Sequence, residues 1–359
     1  MNNVIKAINS FLPDEKLISC EPLGNGHINS TFLVETDKDK YSLQIINTNI
    51  FRDVEGLMSN LQLVTHHIRK KVRDEGDDPQ RATLKFMSAP NGKKYLQIKD
   101  KAYRMYKYID NVITIEKMES PMHFHSAGIA FGSFAQILSD FDASLLVETI
   151  KNFHNTASRY LDFEKAIEDN LSRRSDEVEP EIEFVRQRKD FMSLFVDKLD
   201  KGELPLRVTH NDTKINNVLF DAETGAPAAV IDLDTVMPGS YLYDFGDAIR
   251  SGATHAAEDE RDLSLVDFDL ELYEAFTKGY LSQCGASLTP VEIEMLPYAS
   301  IMLTLECGMR FLTDHLNGDT YFKIHRYGHN LDRARTQFKL VSMMEENLDN
   351  MRAIIQKYI

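Results

Sequence analysis

A chain of 359 residues with a formal net charge of −15 is longer than one hydrophobic core ordinarily supports, so two lobes are expected. The acidic balance argues against nucleic acid and against an anionic membrane surface as partners. No run approaches the roughly 18 to 20 apolar residues of a membrane-spanning helix, and the start, MNNVIKAINSFLPDEK, lacks the basic-then-apolar pattern of a leader. Cys20, Cys284 and Cys307 are scattered without metal-ligand spacing, which fits a reducing compartment. The expected state is a cytoplasmic monomer with no nucleic-acid or membrane partner.

Val4, Ile5, Ile8, Phe11 and Leu12 recur at helical spacing and predict a short helix over residues 3–12, ended by Pro13. Cys20 to Glu35 reads as strand, turn and strand, with Gly24-Asn25-Gly26 at the turn and His27 just beyond it. Tyr41 to Ile46 is a further strand that carries Gln44. Leu57, Leu61, Val64, Ile68 and Val72 place one buried stripe on a helix over Glu55–Arg73. Residues 81–86, 94–98 and 102–109 read as strands. After Asp110 the period turns mostly helical, with helices expected over 127–138, 145–153 and 181–199. The acidic run over 175–183 reads as a solvated surface. Further helices are expected over 268–283, 290–314 and 331–357.

The most informative stretch is Val208–Asp247. Leu206-Arg207-Val208 is a strand-like run, and His210 to Asn217 is a polar loop. Val218-Leu219-Phe220 and Ala228-Ala229-Val230-Ile231 form a hairpin that ends on Asp232. A base, an amide and a carboxylate in that order are the parts that phosphoryl transfer needs. Asp212 would accept the proton of the attacking hydroxyl, and Asn217 and Asp232 would hold metal ions. Asn216 is an alternative to Asn217. Asp234 lies two residues beyond Asp232 and points to the same side, where it would assist a second metal ion. Asp244 and Asp247 would either cap the next helix or brace the loop. His210 would hold the loop rather than react. Taken singly, each of these residues is also a common turn or cap residue.

The combination resembles the catalytic core of the aminoglycoside phosphotransferase and choline kinase superfamily. GNGHINSTFLV, RVTHNDTKINNVLFD, IDLDTVMPGSYLYDFGDAIR and TLECGMRFLTDHLNGDTYF further resemble the bifidobacterial N-acetylhexosamine 1-kinases, in order and over nearly the whole chain. The resemblance implies an α+β, two-lobed protein-kinase-like fold. A small lobe on a mostly antiparallel sheet would cover residues 1–108, and a larger, mostly helical lobe residues 109–359. It implies ATP and Mg2+ as co-substrate and cofactor, and a small sugar as acceptor. Gly24 and Gly26 would line a flap over the nucleotide phosphates. Gln44 would occupy the strand position where protein kinases carry a phosphate-binding lysine. That departure leaves open which group supplies the missing charge. His27, Arg310 and Tyr321 would position the sugar.

The implied reaction is phosphorylation of the anomeric hydroxyl of N-acetylglucosamine or N-acetylgalactosamine. A related kinase of aminoglycosides or choline is the alternative, although a choline site favours a tryptophan-built box and the chain has no tryptophan. A nucleotide-binding protein without turnover is the non-enzymatic alternative, suggested by the absent lysine.

Overall fold

The computed structural model describes residues 2–24, 28–115 and 120–359. The chain opens with helix α1 (Asn2–Phe11), strands β1 (Leu17–Pro22), β2 (Ser30–Thr36) and β3 (Lys40–Ile46), helix α2 (Val54–Asp74), and strands β4 (Leu96–Ile98), β5 (Lys101–Lys107) and β6 (Val112–Ile113). Helices α3 (Pro121–Ile137), α4 (Thr156–Asp169), α5 (Glu179–Arg186) and α6 (Leu194–Asp200) follow. Short strands β7 (Arg207–Thr209), β8 (Val218–Asp221), β9 (Pro227–Val230) and β10 (Met237–Gly239) precede helices α7 (Tyr241–Gly252), α8 (Leu270–Cys284), α9 (Pro290–Leu316), α10 (His329–Glu346) and α11 (Leu348–Lys357). The mixed α+β content, with a five-stranded antiparallel sheet, two smaller sheets and a larger helical part, is the class expected.

The chain divides into two compact units. The first holds residues up to 113 together with 144–151 and 219–237, and the second holds 114–143, 152–218 and 238–359.

In the first unit an antiparallel sheet runs in the order β1-β2-β3-β5-β4. Its register sets Gln44 of β3 between Thr31 of β2 and Arg104 of β5. Val4, Ala7, Ile8 and Phe11 of α1 recur every three to four residues, and they bury against Val34, Tyr41, Leu43 and Met105 of the sheet. The α2 stripe Leu57, Leu61, Val64, Ile68 and Val72 is buried, and Asp53 caps the helix by accepting from the Gly56 amide at 2.9 Å.

Residues 145–153 are not the expected helix. A 3-10 turn at Ala143–Leu145 is followed by turns, because Asn60 on α2 takes both backbone groups of Val147: its Nδ2 donates to the carbonyl at 2.8 Å and its Oδ1 accepts from the amide at 2.9 Å. A side-chain amide that matches a peptide group in this way outcompetes a helical turn. Residues 81–86 are not a strand either. Phe86 alone bridges Tyr106, and Arg81 instead donates to the Asp221 carboxylate at 2.9 Å.

In the second unit α3 packs along α8, and α7 along α9. Gly246 permits the second of these contacts, since a Cβ there would strike the Ala299 carbonyl. The helix expected over 181–199 is interrupted. Its polar centre, Gln187 to Asp190, ends α5, and a 3-10 turn over Lys189–Ser193 leads into α6. The helix expected over 331–357 breaks at Asn347, whose side-chain amide donates back to the Met343 carbonyl at 2.9 Å. Among the described residues no helix is long and apolar enough to cross a membrane.

Candidate active site

The His210–Asn217 loop belongs to the second unit, and the chain leaves β7 directly into it. His210 is fully buried, edge-on to Phe131 at 5.7 Å and Phe134 at 5.8 Å, both on α3. Its Nδ1 accepts from the Asp212 amide at 3.3 Å, so the ring serves the loop backbone. Asn211 takes a left-handed φ of 65°, which asparagine tolerates better than most residues.

Helix α7 braces this loop. Asp244 accepts from the backbone amides of His210 at 2.9 Å and Asn211 at 2.7 Å. Asp247, one turn on and on the same face, accepts from the Thr213 amide at 2.9 Å. Thr213 returns a bond from its hydroxyl to the Asp244 carbonyl at 2.6 Å. Of the two openings left by the sequence, these aspartates brace the loop from inside the helix, and Ser240 is the cap. Burial pushes the Asp244 carboxyl up to about 6, against the pull of His210 and the two amides. Burial also opposes charge on Asp247, but Arg250 and Lys214 overcome it and hold that carboxyl below its ordinary value.

Asp212 is thereby presented on a rigid backbone. Asn217 Nδ2 donates to the Asp212 carbonyl at 2.8 Å and to Oδ2 at 3.1 Å. Lys214 Nζ lies 3.1 Å from Oδ1. Each carboxylate oxygen therefore has a fixed donor. The Asp212 charge raises the pKa of the Lys214 ammonium, so it stays protonated. The sequence reading passes over Lys214. Its only signal is a basic residue two positions after the aspartate, and a lone loop lysine is usually just solvated.

Asp232, Asp234, Gln44 and Arg104 belong to the first unit. Asp232 is exposed and sits at a left-handed φ of 55°, at the head of a 3-10 turn over Leu233–Thr235. Asp234 is buried, and both of its oxygens are engaged. Oδ1 pairs with Arg104 Nη1 at 2.5 Å, while Oδ2 accepts from Arg104 Nη2 at 2.9 Å and Asn29 Nδ2 at 2.6 Å. Asp234, expected to assist a metal ion, is thus ion-paired with Arg104 inside the first unit. Gln44 is likewise turned inward. Its Oε1 accepts from Arg104 Nε at 2.9 Å and Nη2 at 2.6 Å, and its Nε2 donates to the Thr31 hydroxyl at 3.0 Å. One N–H of its amide, expected to meet a nucleotide phosphate, is thus used on Thr31. Burial opposes the Arg104 charge, but Asp234 outweighs it and the guanidinium pKa rises.

Gly24 adopts a φ of 68° with open space where a Cβ would be, as a turn glycine should. Gly26 and His27 lie outside the described residues.

Each unit by itself carries an oxygen donor of the kind that suits a hard divalent cation. Mg2+ takes carboxylate and amide oxygens. The exposed Asp232 carboxylate offers one such group. The Asn217 amide offers another, because its nitrogen is spent on Asp212 and its oxygen is the atom left over.

The second unit also holds a cavity of about 380 Å³, lined by Arg159, Arg310, Thr313, Asp314, Tyr321 and Phe322 among others. Arg310 and Tyr321, expected to share a ligand, are therefore brought together. The Arg310 guanidinium lies 5.5 Å from the Phe153 ring centre and 5.7 Å from that of Phe322. Its Nη1 is 3.7 Å from Glu306 Oε1, one turn back on α9. The other Glu306 oxygen meets His154 Nδ1 at 2.9 Å, and His154 Nε2 lies 3.5 Å from the Asn211 carbonyl oxygen. A chain of contacts thus runs from the cavity to the residue before Asp212. Asp314 is not free for a ligand. It accepts from the amides of Thr320, Tyr321 and Phe322 at 2.8–2.9 Å and from Asn330 at 2.8 Å, and so shapes the loop that presents Tyr321.

The chain is similar to several known proteins. A kinase-like protein of Caenorhabditis elegans is 30% identical over 141 residues, 38% of this chain and 34% of that protein, so the likeness spans about a third of that relative. A microcompartment-associated aminopropanol kinase shares the fold with a TM-score of 0.57 at 16% identity, over 98% of each chain. A spectinomycin phosphotransferase, solved with ADP and spectinomycin, superposes with a TM-score of 0.56 at 12% identity, over 95% of this chain and 98% of that one. The sequence model of the phosphotransferase enzyme family matches residues 19–280. That match covers most of the chain and includes the Asp212 loop and Asp232, and the protein therefore belongs to the phosphotransferase enzyme family.

Proposed function

We propose that this kinase transfers the γ-phosphoryl group of ATP to the anomeric hydroxyl of N-acetylglucosamine or N-acetylgalactosamine. The observation that carries the reading is the pairing of Arg310 and Tyr321 in the cavity of the second unit. A guanidinium fork suits hydroxyls and an acyl carbonyl, and an aromatic face suits the apolar side of a pyranose ring. The same cavity is unsuited to a cationic acceptor. Burial first, and then the neighbouring Arg310, press the Arg159 guanidinium below its ordinary pKa, and with Lys165 three positive groups already line the cavity. Of its three acids, Asp169 pairs with Lys165 at 2.8 Å, Asp314 is held by backbone amides, and Asp162 lies 4.0 Å from Arg159.

In this mechanism Asp212 orients the anomeric hydroxyl and accepts its proton. An anomeric hydroxyl is more acidic than an ordinary alcohol, so a carboxylate base suffices and positioning carries most of the rate. Lys214 keeps the carboxylate aimed and adds positive charge beside it. Asn217 and Asp232 each carry an oxygen suited to Mg2+, which would supply neutralisation of the nucleotide phosphates when bound.

An amine-bearing acceptor is the second reading, favoured by the net charge of −15 and by the acceptors named for the structural relatives. ADP release with Mg2+ over N-acetylglucosamine, N-acetylgalactosamine, glucose, galactose, choline, kanamycin and 1-amino-2-propanol separates the two. Turnover should be confined to the N-acetylated hexosamines. Arg310→Met should raise KM about 10- to 100-fold, the cost of leaving a substrate's polar groups unpaired. Turnover with an amine and none with the sugars would replace this proposal by the second reading.

A further inference from the structure

The strand position that carries a lysine in protein kinases holds Gln44, and the positive charge comes from the neighbouring strand instead. Arg104 stands directly across from Gln44 in the β3–β5 register and is 2% exposed. It binds Gln44 through Nε and Nη2 and Asp234 through Nη1 and Nη2. Asn29 closes the group by donating to Asp234, while its own carbonyl oxygen accepts from the Asn47 amide at 2.9 Å.

A buried ion pair of this kind is costly to desolvate and contributes little net stability, so its value lies in fixing one arrangement. Here the arrangement fixed is a turn. Asp234 is the middle residue of the 3-10 turn that begins immediately after Asp232, and Asp232 holds a left-handed backbone that non-glycine residues avoid. Asn60 secures the far side of the turn by donating to the Val236 carbonyl at 3.0 Å. Arg104 also lies within electrostatic reach of Asp232. Without it, two carboxylates two residues apart would repel, and the turn would lose its inner anchor.

We propose that Arg104 and Asp234 form a positioning pair for Asp232: the guanidinium clamps Asp234 inside the sheet, which fixes the strained turn so that Asp232 alone presents a carboxylate to the divalent cation. Arg104 thus does the work of the absent lysine indirectly, by organising a metal ligand and not by touching phosphate. The proposal rests on metal-dependent phosphotransfer and is independent of which acceptor is used.

The test is Mn2+ binding, followed by electron paramagnetic resonance in the presence of a non-hydrolysable ATP analogue, with thermal melting to confirm folding. Arg104→Gln and Asp234→Asn should each weaken Mn2+ binding about tenfold, the usual scale for residues that orient a metal ligand. The double variant should be no worse than either single one, because both remove the same contact. Arg104→Lys should recover part of the loss. Asp232→Asn should cost at least about tenfold more than Asp234→Asn, as loss of a ligand exceeds loss of its support. Variants that bind Mn2+ like wild type, losses that multiply in the double variant, or an Asp234→Asn loss equal to that of Asp232→Asn would overturn the proposal. Should Arg104→Gln fail to fold, the comparison of Asp234→Asn with Asp232→Asn decides alone. A wild-type protein that binds no Mn2+ would overturn the proposal together with the metal reading. Sugar acceptors that fail to turn over would leave it standing.

Discussion

At the residue scale, the proposed chemistry centres on Asp212 and its fixed partners. Asp212→Asn keeps the size of the side chain and one acceptor, but removes the base. It should lower kcat by about 10²- to 10⁴-fold, the usual contribution of general-base catalysis, with nucleotide binding unchanged. The loop braces give a pH signature. Asp244, raised to about 6 by burial, keeps a proton in the folded chain from about pH 4 upward, where the unfolded chain gives it up. Its contribution to stability therefore falls as pH rises across that window. Activity should run the other way. Below about pH 6 one oxygen of Asp244 carries a proton, and the His210 and Asn211 amides lose an acceptor. Asp247 has a depressed pKa, so its stabilisation is present above the ordinary carboxylate value and is lost as pH falls through its lower, folded value. The measurable outcome is a kcat that declines below about pH 6 while the melting temperature holds. A flat kcat from pH 5 to 8 would remove Asp244 from this account. The order of Asp212, Asn217 and Asp232 was legible in the sequence because those residues lie close together on one segment. Arg104 was not, because its role depends on a strand register that places it beside Gln44, 60 residues away.

At the element scale, the braces need α7 to lie close on α9. Gly246→Ala would drive a methyl group into the Ala299 carbonyl, and should destabilise the protein by about 1–3 kcal/mol, the usual cost of overpacking. Thermal unfolding would check this, and an unchanged melting temperature would show that the helix contact yields. Helices α1 and α2 were legible because their apolar residues keep the 3.6-residue period over a full face. Residues 145–153 have comparable hydrophobicity but form turns, because Asn60 captures Val147. Nothing in the local pattern marks so distant a partner. The breaks at Gln187–Asp190 and at Asn347 were visible as polar residues, but their strength as helix breakers depends on tertiary packing.

At the scale of the whole molecule, the small antiparallel sheet and the larger helical part followed from where period 2 gives way to period 3.6. The return of residues 144–151 and 219–237 to the first unit rests on Asn60 and on the antiparallel pairing of Val112 and Ile113 with Asp221 and Phe220. Composition shows neither. The reaction proposed for the intact protein is phosphoryl transfer to the anomeric oxygen of an N-acetylhexosamine. The most direct measurement is phosphorus NMR of the product formed from ATP, Mg2+ and N-acetylglucosamine or N-acetylgalactosamine, with Asp212→Asn alongside. One new phosphomonoester is expected, coupled to the anomeric proton and absent with the variant. A phosphate coupled to the C6 protons, or no product from either sugar while an amine-bearing acceptor is phosphorylated, would contradict it.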